Sequence, residues 1–143
     1  MSIAKLMSRN LITLELDDDL SKAKAIFDTS NIHHILVTDN GPLVGIITDR
    51  DLYKHLSPTI GTSKETPQDT FRLHKKIHLI MCRELTTAKE ETTLNEAVVL
   101  FHDKHISCLP VVDDKNHPTG IITWRDILKV IALRYKKDLK TQA

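Results

Sequence analysis

Aromatic residues are scarce in this 143-residue chain, at 4%: three Phe, two Tyr and a single Trp. So few rings offer little for bases to stack on. No charge of one sign dominates either. Twenty Lys and Arg stand against 19 Asp and Glu, a formal charge of +1, unlike a surface that neutralises phosphates. Nucleic acid is excluded as a principal partner on both counts. The two cysteines, Cys82 and Cys108, make neither a disulfide framework nor a metal spacing, and the expected location is the reducing cytoplasm. No apolar run approaches the ~18 residues of a membrane span, and residues 1–10, with Lys5 and Arg9, lack the apolar stretch of a signal peptide. No membrane partner is expected. A Gly-rich phosphate loop, a Gly-x-Ser-x-Gly elbow and a carboxylate pair set apart for acid–base work are all missing. The reading is therefore non-enzymatic, with no catalytic residue, no metal and no cofactor assigned. What remains, 41% hydrophobic and 27% charged, is the composition of an ordinary soluble globular protein.

What the chain does have is a sentence spoken twice. Gly45-Ile46-Ile47-Thr48-Asp49-Arg50-Asp51 returns as Gly120-Ile121-Ile122-Thr123-Trp124-Arg125-Asp126, with six of seven positions identical. A β-branched pair followed by Thr-x-x-Asp and an apolar periodic run predicts a buried strand turning directly into a helix. Thr at the N-cap and Asp three residues on can satisfy the orphan N–H groups of that helix. The same groups suit a ligand: N–H groups for a phosphate, a carboxylate for a ribose diol. One copy alone leaves the two readings open.

The duplication extends far beyond the motif. An offset of about 74 pairs Met7 with Met81, Arg9 with Arg83, Thr13 with Thr87, Leu20 with Leu94, Ala23 with Ala97, Phe27 with Phe101 and Val37 with Val111. Each copy reads β-α-β-β-α. Residues 11–14 are extended, and Leu20, Ala23, Ile26 and Phe27 mark the apolar face of a helix. Residues 35–38 and 43–48 are strands around the turn Asp39-Asn40-Gly41-Pro42. In the second copy Thr93-x-x-Glu96 is a capping box for a helix over 94–104, and a last helix runs from 124 to about 140. Residues 57–69, rich in Ser, Thr, Pro and Gly, read as an exposed mobile loop, with a helix from Thr70 through Leu73, Ile77, Ile80 and Met81. The expected division is a first repeat at 1–56, a linker at 57–74 and a second repeat at 75–143.

Histidines add detail. His74 with His78 and His102 with His105 have helical spacing but lack a third ligand, so they read as solvent-facing. His33-His34 precedes a buried strand, where one ring should face in and the other out; Ser107-Cys108 stand there in the second copy. Trp124 replaces Asp49, as a contact with a partner subunit or a cover for the core. Leu52, Tyr53, Ile127, Leu128 and Ile131 offer more apolar surface than one small module covers, which predicts a twofold homodimer.

Two copies ending in Gly-x-x-Thr-x-x-Asp, with Ile106-Ser107-Cys108-Leu109-Pro110-Val111-Val112-Asp113 before the second, resemble a tandem CBS-domain module over nearly the whole chain. The resemblance implies an α/β (α+β) fold of two β-α-β-β-α repeats about a pseudo-twofold axis. It also implies two clefts that bind AMP, ADP, ATP or S-adenosylmethionine as a regulatory signal, and pairing into a dimer. Thr48 and Thr123 would meet phosphate or ribose, Asp51 and Asp126 the ribose hydroxyls, with Arg50 and Arg125 near phosphates. The family's crossed clefts would group Asp126 with Ile12, Thr13, Ala23, His33 and His34. Asp51 would be grouped with Thr86, Thr87, Ala97, Cys108 and Pro110. The first copy departs from the pattern in lacking a proline where the second has Pro110, and Trp124 is bulky where it borders a cleft. Either change would leave one site empty. A stand-alone module of this kind would act on a separate, unidentified protein. The competing expectation is a ligand-free interaction module in which Thr-x-x-Asp only caps helices.

Overall fold

A computed structural model describes residues 1–142; Ala143, the end of the expected second repeat, lies outside the described residues. The chain is mixed α/β and divides into two compact units.

The first unit spans Ile12–Leu85. It contains β1 (Thr13–Glu15), α1 (Leu20–Thr29), β2 (His34–Thr38), β3 (Leu43–Thr48), α2 (Asp49–His55) and α3 (Pro67–Leu73). Its sheet has the order β1-β2-β3, with β1 parallel and β3 antiparallel to the central β2. As the central strand, β2 is buried at Ile35, Leu36, Val37 and Thr38, which explains its unbroken apolar run. By contrast β3 alternates, burying Leu43, Gly45 and Ile47. Between β2 and β3, Asn40 and Gly41 both have positive φ, 55° and 126°, a conformation that Asn and Gly tolerate best. Helix α1 starts at Asp19, whose Oδ1 accepts the Ser21 N–H at 3.1 Å. Its apolar face packs Leu20, Ala23 and Phe27 against Leu14, Ile35, Val37, Ile47 and Leu52.

The second unit joins Met1–Leu11 to Thr86–Ala143. It contains α4 (Leu94–Lys104), β4 (Cys108–Val112), β5 (Pro118–Thr123) and α5 (Trp124–Gln142). The strand equivalent to β1 shrinks here to one parallel bridge between Ala88 and Val111. It is held by Ala88 N–H on the Pro110 carbonyl and Val112 N–H on the Ala88 carbonyl, both at 2.9 Å. The core repeats that of the first unit, with Leu94 and Ala97 of α4 and Ile127 of α5 against Leu109, Val111 and Ile122.

These units do not follow the sequence repeat at its ends. Ile3 and Met7, which open the chain, belong to the second core, whereas Ile77 and Met81 belong to the first. Met7 lies over Gly120 and Met81 over Gly45. A Cβ on either glycine would fall 2.8 Å from the methionine Cγ, so each glycine leaves the room its methionine needs. The next residue then pairs with the strand: Ser8 exchanges two 3.0 Å backbone hydrogen bonds with Ile121, and Cys82 exchanges two with Ile46.

Three local expectations need correction. The helix expected from Thr70 instead begins at Pro67, where proline costs no hydrogen bond at the first helical position, and ends at Leu73. A separate 3-10 turn covers Ile77–Leu79. The end of the expected loop is ordered too, since Asp69 is buried and accepts from the Thr59 hydroxyl at 2.5 Å and the Thr66 N–H at 3.0 Å. Leu52 and Ile127 are buried in their own cores, leaving Tyr53, Leu128 and Ile131 as the exposed members of the expected dimer surface. Limited proteolysis should therefore cut first within residues 61–65, which are exposed throughout. A first cut within α3 would contradict this order.

Candidate functional site

Each repeated motif forms the junction its sequence predicts. In the first unit β3 ends at Thr48 and α2 starts at Asp49. Thr48 Oγ1 accepts the Asp51 N–H at 3.0 Å, and Asp51 Oδ2 accepts the Thr48 N–H at 3.2 Å. In the second unit Asp126 Oδ2 accepts the Thr123 N–H at 2.8 Å and the Thr123 hydroxyl at 3.2 Å. Both aspartates are half-buried at the strand–helix corner, while Arg50 and Arg125 are exposed. The Arg125 guanidinium lies 6.0 Å from the centre of the Trp124 ring, at the outer range of a cation–π contact.

Sheet register brings the other candidates to these corners. His34 pairs with Thr48 across β2 and β3, and Thr13 pairs with Leu36 on the far side of β2, with exposed Ile12 just before it. Cys108 likewise pairs with Thr123, and Ala88 bonds to Pro110, so Thr86 and Thr87 lead into the same edge. Within the first unit His33 and His34 gather with Thr48 and Asp51. Thr86, Thr87 and Cys108 gather with Thr123 and Asp126. Ala23, Ala97 and Pro110 are fully buried.

The first corner carries a pair that the sequence reading missed. His33 Nδ1 lies 2.7 Å from Asp49 Oδ2. Burial works against the Asp49 charge, yet the His33 ring and the Arg50 N–H hold its carboxyl below the usual carboxylate range. Nδ1 therefore carries the ring proton. The signal was present in the repeat: the copy with His33 has Asp49, and the copy with Ser107 has Trp124. His33 is exposed and His34 half-buried, one ring out and one in. Burial pushes His34 below the usual histidine value, assisted by His33 and opposed by Asp49 and Asp51.

That direction has a consequence for stability. A histidine protonated more readily in the unfolded chain stabilises the fold fully above its unfolded pKa of about 6.5, and the contribution is lost as pH falls below it. Urea midpoints at pH 7.5 and 5.5 should thus fall more in wild type than in His34→Gln. Equal falls would show that His34 does not contribute.

Elsewhere, His74 Nδ1 sits 3.3 Å from Asp19 Oδ2 and His102 Nδ1 3.0 Å from Asp103. Among the described residues no cluster of three His, Cys, Asp or Glu could hold a metal ion, and no helix is long and apolar enough to cross a membrane.

The CBS domain matches residues 3–58 and again 76–133. A CBS domain-containing protein of Dictyostelium discoideum is 35% identical over 131 residues, 90% of each chain. The inosine-5'-monophosphate dehydrogenase of Methanocaldococcus jannaschii is 36% identical over 122 residues, covering 85% of this chain but only 22% of that enzyme. Among solved structures, the CBS domain pair of protein MJ0100, in complex with 5-methylthioadenosine and S-adenosyl-L-methionine, has a TM-score of 0.76 at 28% identity. It covers 94% of this chain and 98% of that one. With two matches of one domain over most of its length and a relative this similar from end to end, the chain belongs to the CBS domain family and carries a pair of these domains.

Proposed function

We propose that the chain is a regulatory sensor, not a catalyst, and that its Thr-x-x-Asp corners bind an adenosyl ligand: AMP, ADP, ATP or S-adenosylmethionine. The observation that carries this reading is the duplicated corner, in which a half-buried carboxylate stands beside a strand end and the first N–H groups of a helix. The cap occupies Oδ2 of each aspartate. The proposal gives the other oxygen to a ribose hydroxyl, Thr48 or Thr123 to the phosphate or sugar, and Arg50 or Arg125 to any further phosphate. Ile12, Thr13, His33 and His34 border one site; Thr86, Thr87 and Cys108 border the other. The likeness to MJ0100, whose CBS pair is in complex with adenosyl compounds, supports the class of ligand. A homodimer in the cytoplasm, acting on a separate protein, completes the proposal.

The complete capping box at Thr48 and Asp51 favours a second reading, in which the motif only ends strands and starts helices. A thermal-shift panel of AMP, ADP, ATP, S-adenosylmethionine and 5-methylthioadenosine separates the two. A bound ligand at 100 times its dissociation constant should add about 2.7 kcal/mol, several degrees for a protein of this size. No shift with any of the five would leave the capping reading standing.

A further inference from the structure

The two corners share Thr, Arg and Asp, and they differ at the residue after the Thr. The first copy has Asp49 where the second has Trp124. Asp49 is fixed in place, because its Oδ1 accepts the Arg50 N–H at 2.8 Å and its Oδ2 accepts the His33 Nδ1–H at 2.7 Å. Its side chain is still one-third exposed, open to what approaches the corner. Asp49 and Asp51 both act on the half-buried His34, so two carboxylates stand together here. Counting the histidines as neutral, the first motif sets Asp49 and Asp51 against Arg50, a formal −1. In the second motif Asp126 stands against Arg125 and the charges cancel. Trp124, 49% exposed, adds no charge.

The backbone donors differ in the same sense. At the start of α2 the Asp49 N–H donates to the His33 carbonyl at 3.2 Å, the Arg50 N–H to Asp49 Oδ1 and the Asp51 N–H to Thr48 Oγ1. At the start of α5 the Trp124 N–H donates to the Ser107 carbonyl at 3.2 Å. Among the described residues no acceptor takes the Arg125 or Asp126 N–H, and the Thr123 hydroxyl donates to Asp126 where Thr48 accepts from Asp51. The first corner thus already holds a second anion of its own, and the second corner does not.

We infer that Asp49 and Trp124 divide the adenosyl ligands between the corners, the first taking the cationic S-adenosylmethionine and the second the anionic AMP. This rests on the reading of both corners as adenosyl sites. A phosphate monoester carries roughly −1.5 to −2 at pH 7, and the fixed Asp49 carboxylate sets like charge against it. S-adenosylmethionine brings a sulfonium and an ammonium against one carboxylate, and the same Asp49 charge attracts it. At the second corner Arg125 meets a phosphate with no such opposition. Asp49 is in this sense a specificity-determining residue.

Calorimetry of the full chain at pH 7.5 and low salt tests the division, with AMP and S-adenosylmethionine as probes. Asp126→Ala leaves the first corner intact and Asp51→Ala leaves the second. The first corner should bind S-adenosylmethionine at least tenfold more tightly than AMP, and the second should show the reverse order. Asp49→Asn, added to Asp126→Ala, removes the charge but keeps an oxygen for the Arg50 N–H. It should shift the ratio of the two affinities towards AMP by tenfold or more, whereas Asp49→Glu should keep the wild-type preference. Trp124→Asp, added to Asp51→Ala, should shift the ratio the other way. High salt should shrink both preferences, which a difference of shape alone would not do. Circular dichroism identifies any variant that does not fold, and the comparison of the two single-corner variants does not depend on position 49. The same preference at both corners, or a ratio that Asp49→Asn leaves unchanged, would overturn the inference while leaving the corners as adenosyl sites. Binding of neither ligand to wild type would overturn that underlying reading as well.

Discussion

Replacing Ile3 by alanine is expected to cost about 2–5 kcal/mol, the loss typical of a large aliphatic side chain deep in a core. A third residue from a chain end would ordinarily be frayed and tolerant of change. Here Ile3 is 0% exposed, and its N–H donates to the Thr92 carbonyl at 2.8 Å. The Leu94 N–H returns to the Met1 carbonyl at 2.9 Å, and Ser8 extends the edge of β5. The segment is thus stitched to the second core from both sides. Ile77 is equally buried in the first core, and Ile77→Ala should cost a similar amount. Leu133→Ala, on the exposed face of α5, is the control and should stay within about 0.5 kcal/mol of wild type. Equilibrium unfolding in urea measures all three. An Ile3→Ala variant as stable as the control would mean that residues 1–11 are not part of the second core.

Asp51→Ala and Asp126→Ala should each weaken adenosyl-ligand binding at their own corner by tenfold or more, because a hydrogen bond to a charged group contributes roughly 1.5–3 kcal/mol. Their cost in stability should be smaller, about 1 kcal/mol for the lost cap. If the carboxylates only cap, stability falls and affinity does not change. The pH dependence should separate the corners. An imidazolium beside a phosphate binds it better than a neutral ring, so AMP affinity at the histidine corner should rise as pH falls. With His34 held below the usual histidine value, its part of the rise belongs below about pH 6.5. His33 and His34 gather with Asp51, so the rise should survive in Asp126→Ala and disappear in Asp51→Ala. Calorimetry of AMP binding at pH 7.5 and 5.5 reads both effects; a rise kept in Asp51→Ala would return the histidines to the other aspartate.

How legible the molecule was depends on how far apart the contacting residues lie in sequence. Strand β3 and the helix after Thr48 were legible because strand alternation, Thr and Asp all fall within nine residues, and the chain repeats them. Helix α4 was equally clear from Thr93-x-x-Glu96, and the capping box is present, with Glu96 Oε2 accepting the Thr93 N–H at 3.1 Å. Helix α3 carries the same kind of signal in Thr66-Pro67-x-Asp69, but its Ser-, Thr- and Pro-rich surroundings read as loop. Tertiary contact decided what local pattern could not. Met81 fits over Gly45 and Met7 over Gly120, pairs 36 and 113 residues apart, so nothing local places them in one core rather than the other. At the candidate site, the Thr and Asp of each motif were legible as a corner, and strand register supplied the rest. Ala23 and Ala97 occupy equivalent places on α1 and α4, and both face inward to the cores.

The most direct test of the central claim is a crystal structure of the protein grown with AMP or S-adenosylmethionine. The account predicts ribose hydroxyls within hydrogen-bond distance of the Asp51 or Asp126 carboxylate, with Thr48 or Thr123 beside the phosphate or sugar. An adenosyl ligand bound elsewhere, with both carboxylates touching only their own helix caps, would contradict it.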